Sequence, residues 1–126
     1  MQKYQLLSKD QKKLTVFDWN PQGHTHTILL IHGQGEHLGR YFQFGEKAKE
    51  EGFRCIGIDL RGHGLSEGQR GHVKRWHIYF EDLDNLVNLI KGPFSIMGHS
   101  MGGLIALGYY FSRAQKQKRI CSISTS

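Results

Sequence analysis

Proline and cysteine are both scarce, two residues of each in 126. Cys55 and Cys121 stand far apart, so there is no close-spaced metal pattern and no cysteine framework of a small secreted domain. No apolar run approaches the ~18 residues that cross a bilayer. The first residues, Met1-Gln2-Lys3-Tyr4-Gln5-Leu6-Leu7-Ser8-Lys9, lack the apolar stretch of a signal peptide. Acidic residues are few, 11 against 17 basic ones, which leaves a net charge of +6. The basic residues gather at Lys9/Lys12/Lys13, Arg70/Lys74/Arg75 and Arg113/Lys116/Lys118/Arg119, and none interleaves with aromatics as nucleic-acid motifs do. They read as solvated surface, with at most weak peripheral attraction to anionic lipid headgroups. These absences predict one cytoplasmic domain without metal, cofactor or nucleic-acid partner.

Glycine, by contrast, is abundant at 16 residues, and its placement carries the chemistry. Pro93–Gly103 runs from a short apolar stretch through Gly98-His99-Ser100-Met101-Gly102 into a helix-forming one. A serine on a sharp strand-to-helix turn is a nucleophile elbow, in which strained backbone pushes the hydroxyl outward. Gly98 and Gly102 would let neighbouring backbone pass without a Cβ clash. The Met101 N–H, with a helix dipole behind it, would face a developing oxyanion. With this composition Gly-x-Ser-x-Gly arises by chance in roughly one chain in eight, so the pattern needs its context. The plain alternative is a turn whose serine caps the next helix.

In chain order, Tyr4–Leu7 and Leu14–Trp19 read as a strand pair, with a turn at Asn20-Pro21-Gln22-Gly23. Thr25–Ile31 is, His26 apart, β-branched and apolar, as a strand covered on both faces should be. A polar loop at His32–His37 leads to a helix over Arg40–Glu51, with Tyr41, Phe44 and Ala48 at helical spacing and Gly52 as its stop. Phe53–Leu60 is a further buried strand, followed by a glycine-rich loop over 61–72. Trp76–Ile90 repeats apolar residues at Trp76, Phe80, Leu83, Val87 and Ile90, a helix stripe. The helix from Met101 to Ser112 is apolar nearly all round as far as Phe111 and should be buried. Lys116–Arg119 reads as an exposed linker before a last strand at Ile120–Ser124. The alternation predicts a mostly parallel sheet with helices on both faces.

Three motifs, His32-Gly33-Gln34-Gly35-Glu36-His37-Leu38-Gly39-Arg40-Tyr41, Asp59-Leu60-Arg61-Gly62-His63-Gly64-Leu65-Ser66 and Gly98-His99-Ser100-Met101-Gly102-Gly103, fall in one order. Together they resemble the α/β-hydrolases of the monoacylglycerol lipase and lysophospholipase group (serine aminopeptidase-like), from about Leu14 onward. The resemblance implies a three-layer α/β-hydrolase fold, here truncated after the sixth strand. It also implies Ser100 as nucleophile and an oxyanion hole of the backbone N–H groups of Gln34 and Met101, with Gly33 in the loop. Since only the Gln34 backbone acts, its side chain could vary. The substrate implied is a small lipid ester, a glycerol or lysophospholipid monoester. Asp59 and His63 are expected to organise their loop. His99, beside the serine but on the opposite face of a strand end, is expected to be packed and a poor base.

In such folds the triad acid and histidine follow the serine. Here the last acid is Asp84 and the last histidine is His99. The expectation is therefore the N-terminal portion of a single domain, residues 1–126, without its C-terminal half and lid, inactive alone. Open alternatives are a non-catalytic remnant, an acyl- or partner-binding module, and acyl transfer to another acceptor. An open sheet edge at Ile120–Ser124 invites association. The strand order that the resemblance implies puts Cys55 and Cys121 three spacings apart, roughly 14 Å, too far for a disulfide.

Overall fold

A computed structural model describes all 126 residues. Its strands are β1 (Gln2–Leu7), β2 (Lys13–Trp19), β3 (Thr27–Ile31), β4 (Arg54–Ile58), β5 (Phe94–Gly98) and β6 (Ile120–Thr125). Its helices are α1 (Phe42–Glu50), entered through a 3-10 turn at Leu38–Tyr41, α2 (Trp76–Val87) and α3 (Met101–Arg113). The strands form one sheet in the order β1-β2-β4-β3-β5-β6. β1 and β2 make an antiparallel hairpin, and β2 lies antiparallel to β4. The strands from β4 through β3 and β5 to β6 run parallel.

The period of two along each strand divides the core between the faces. Leu14, Val16, Leu29, Ile31, Ile56 and Ile58 meet α2 and α3 through Tyr79, Leu83, Leu86, Ile105 and Tyr109. On the other face Phe17, Trp19, Leu30 and Cys55 meet Leu38 and the α1 residue Ala48. Helix α1 comes close enough that a Cβ at Gly45 would overlap the Trp19 ring. Gly52, at φ 89°, ends the helix by donating its N–H to Lys49 O (3.0 Å). No helix is long and apolar enough to cross a membrane.

Two arginines are buried in carboxylate clasps that the sequence alone did not reveal. Arg54 on β4 donates from Nε and Nη2 to the two Asp18 oxygens (3.0 and 2.8 Å), and Tyr4 OH donates to Asp18 Oδ2 (2.8 Å). Burial and that carboxylate push the Tyr4 hydroxyl up to about 12. Arg61 reaches both Asp82 and Asp10, with Nη2 at 2.9 Å and 2.7 Å respectively.

Several local expectations need correction. A sheet covers only one side of a helix, and Leu104, Leu107 and Phe111 lie opposite Ile105 and Tyr109. They are 63%, 38% and 76% exposed, so α3 is half-covered and not buried all round. Trp76, at the first residue of α2, projects past the covered stripe and is exposed, its ring edge-on to Tyr79. Phe44 and Phe53 are exposed, and the strand begins at Arg54. Arg119 is drawn back from the expected linker to the carbonyls of Ile90 and Gly92. Cys55 and Cys121 are free, on strands separated by β3 and β5.

Candidate active site

β5 ends at Gly98, α3 starts at Met101, and the two residues between turn the chain. Ser100 has φ 56° and ψ −120°, a left-handed backbone on a residue with a Cβ. Such a conformation costs of order 1–3 kcal/mol and persists only where the surroundings enforce it. Here they do. The Ser100 N–H donates to Ser126 O (2.8 Å), while Gly102 N–H and Gly103 N–H donate to the carbonyls of His99 (2.8 Å) and Ser100 (2.9 Å). A Cβ at Gly98 would strike the Gly102 carbonyl, and one at Gly102 would strike the Ile31 carbonyl of β3. The serine side chain stands exposed, with no side-chain partner for its hydroxyl.

The loop after β3 lies directly against this turn. A Cβ at Gly33 would come within 3.0 Å of the His99 carbonyl and 3.3 Å of Ser100 Cβ. His32 sets the start of the loop. Its Nε2 accepts the Leu60 N–H (2.9 Å), so the proton sits on Nδ1 and is donated to the Gly33 carbonyl (2.8 Å). Burial, the dominant influence, holds its pKa below the usual imidazole range. Glu36 N–H donates to Gly33 O (3.2 Å) and closes a tight turn, with Gly35 at φ 74°. That turn presents Gln34 to solvent. Neither the Gln34 N–H nor the Met101 N–H donates to a protein acceptor. The Gln34 side chain has a structural role as well, donating to Gly71 O (3.2 Å).

Asp59 accepts the N–H groups of Leu38 (2.7 Å) and Leu65 (2.8 Å), and His63 Nδ1 bonds Arg61 O (3.0 Å). Both residues organise loops around the site. His99 is not packed as the sequence suggested. It lies past the last residue of β5, where no layer covers it, and its side chain is 50% exposed. Its Nδ1 meets Ser126 Oγ (2.9 Å) and its Nε2 lies 3.6 Å from Glu36 Oε2. Glu36 also accepts the Tyr41 hydroxyl (2.6 Å), which burial and this carboxylate push up to about 12. The roles of Glu36 and Tyr41 were hidden in a motif read for its glycines.

Beside the turn lies a cavity of about 300 Å³, lined by Leu30, Met97 and Phe44 together with Glu36 and Arg40. No group of three or more His, Cys, Asp or Glu side chains is placed to hold a metal ion. No imidazole is hydrogen-bonded to the Ser100 hydroxyl: His32 bonds Gly33 O and the Leu60 N–H, His63 Nδ1 bonds Arg61 O, and His99 Nδ1 bonds Ser126 Oγ.

Comparison with known proteins gives this geometry a context. Residues 22–125 match the family described as serine aminopeptidase, S33. Monoglyceride lipase of Rattus norvegicus is 33% identical over 108 residues, which are 81% of this chain and 36% of that protein. Phospholipase YtpA of Bacillus subtilis is 30% identical over 114 residues, 88% of this chain and 43% of that protein. The solved monoacylglycerol lipase of Paleococcus ferrophilus superposes with a TM-score of 0.77 at 30% identity, covering 90% of this chain and 42% of that structure. The chain thus spans less than half the length of these relatives.

Proposed function

Because the chain belongs to the serine aminopeptidase, S33, family of hydrolases, we propose that it carries the nucleophile and the oxyanion-binding donors of a serine ester hydrolase acting on lipid monoesters. The observation that supports this most directly is the elbow itself. Ser100 is held at φ 56° with its hydroxyl outward, next to two backbone N–H groups without acceptors.

In this reading Ser100 Oγ attacks the ester carbonyl carbon while a base takes its proton. The carbonyl oxygen becomes an oxyanion, and the N–H groups of Gln34 and Met101 donate to it. Preorganised donors of this kind need no reorganisation as charge develops, and each is worth about 2.7–4 kcal/mol. Collapse breaks the bond to the alcohol, which leaves with the proton, and an acyl group remains on Ser100. Water, deprotonated by the same base, then releases the fatty acid and restores the serine. Every step needs a base. Beyond Ser100 the sequence has no Asp, Glu or His, whereas the fold's triad order is Ser, acid, His. In this reading the base comes from the polypeptide length by which the relatives exceed this chain. The cavity next to the turn, lined in part by Leu30, Phe44 and Met97, and the lipase names of the relatives favour a lipid ester over a polar substrate.

The unpartnered Ser100 hydroxyl favours one second reading, a non-catalytic remnant. Adding the C-terminal half of a similar hydrolase to this chain and following monoacylglycerol hydrolysis separates the two. The enzyme reading expects hydrolysis to appear and to vanish in Ser100→Ala. A folded, inactive complex would leave the remnant.

A further inference from the structure

The oxyanion loop and the nucleophile turn are far apart in sequence; the pairing of β3 with β5 and the His99 N–H bond to Ile31 O (3.2 Å) bring their roots together. The donors that must converge, Gln34 N–H and Met101 N–H, sit on separate backbone segments with no hydrogen bond between them. Beyond the His99–Ile31 backbone bond, one side chain reaches from the loop to the turn. Glu36 closes the loop through its backbone, and its side chain, only 12% exposed, folds back beneath Gly33. A Cβ at Gly33 would lie 2.8 Å from Glu36 Oε2, so the carboxylate packs directly against the glycine. The same oxygen faces His99 Nε2 at 3.6 Å, and the other accepts the Tyr41 hydroxyl at 2.6 Å. His99 in turn meets Ser126 Oγ through Nδ1, and the Ser126 carbonyl accepts the Ser100 N–H. A continuous path therefore runs from Tyr41 through Glu36 and His99 to the residue that holds Ser100 in its strained conformation.

We propose that Glu36 is a positioning residue: its carboxylate, fixed by Tyr41 and drawn to His99, clasps the oxyanion loop to the nucleophile turn and sets the separation of the Gln34 and Met101 N–H groups. This rests on the reading of those two groups as the anion-binding pair. The role needs a carboxylate. A hydroxyl partner on one oxygen and an imidazole edge on the other suit an acceptor with two equivalent oxygens and negative charge. It also explains why His99, half-exposed and turned from the serine, stands where it does. His99 touches no reacting atom and acts through the loop.

The test follows the Gln34 and Met101 backbone amide resonances of the ¹⁵N-labelled 126-residue chain. Glu36→Gln should displace both, although the substitution lies on only one of the two segments. His99→Asn should displace the same pair, and the double variant should displace them no further than either single one, the signature of one shared contact. Glu50→Gln, which removes an exposed carboxylate on α1, should move neither. The proposal is overturned if Glu36→Gln leaves Met101 in place, or if the two displacements add. It is equally overturned if the wild-type chain shows no single resolved resonance for each amide, since a clasp that holds one geometry gives one. The readout does not require Ser100 to react. An inert serine would sink the hydrolase reading and leave the clasp standing, and additive displacements would do the reverse.

Discussion

Ser100 stores strain, and that strain is measurable without any substrate. A residue at φ 56° loses the penalty when its Cβ is removed, so Ser100→Gly should stabilise the fold by about 1 kcal/mol in urea denaturation. A destabilised variant would mean that the turn is relaxed and the elbow reading is weak. His32 gives a second residue-level prediction, in pH. Its Nε2 must stay unprotonated to accept the Leu60 N–H, and burial depresses its pKa in the folded state. The unfolded chain takes up that proton near the ordinary value of about 6.5, while the folded chain resists it. Stability is therefore full above that pH and falls as pH drops below it, by up to about 1.4 kcal/mol per unit, until the folded state also protonates. His32→Gln, which keeps an acceptor but does not titrate, should flatten that part of the pH–stability curve. An unchanged slope would place the proton uptake elsewhere. Asp10 acts only at lower pH, where loss of its Arg61 and Ser8 bonds follows protonation of a carboxyl held well below its usual range.

Elements differ in how much of them the sequence disclosed. The strands and the glycine turns were legible because they depend on local chemistry: β-branched runs for β3 and β4, and glycines where carbonyls pass close to Gly98 and Gly102. The covered side of α3 was not. An all-apolar helix has no polar stripe to betray its outward face, so Leu104 and Phe111 read as core. Nor were the Arg54–Asp18 and Arg61–Asp82 clasps, which join residues distant in sequence and give no periodic signal. These elements make their own predictions. The exposed α3 stripe and the open β6 edge should drive self-association, and Leu104→Ser with Phe111→Ser should reduce it in sedimentation velocity. An unchanged distribution would assign any association to β6 alone. On opposite sides of β3 and β5, the two cysteines should behave differently. Burial pushes the Cys55 thiol up to about 12, while Cys121 is exposed. Iodoacetamide at neutral pH should modify Cys121 first and leave Cys55 intact in the native protein. A Cys55–Cys121 disulfide in peptide mass spectra would contradict the strand order.

At the scale of the whole molecule, Ser100 is, in the proposed reading, a nucleophile that waits for a base. The chain folds the elbow and the loop opposite it, and the motifs in the sequence were enough to place both. What they could not show is the Glu36–His99 contact between them, because it exists only once β3 and β5 lie side by side. A fluorophosphonate reports on the central claim most directly, since it bonds covalently only to an activated serine. The protein completed with the C-terminal half of a similar hydrolase should gain one adduct, mapped by mass spectrometry to the peptide containing Ser100, and Ser100→Ala should gain none. The 126-residue chain alone should label far more slowly. A completed, folded protein that takes no label, or takes it at another residue, would contradict the account.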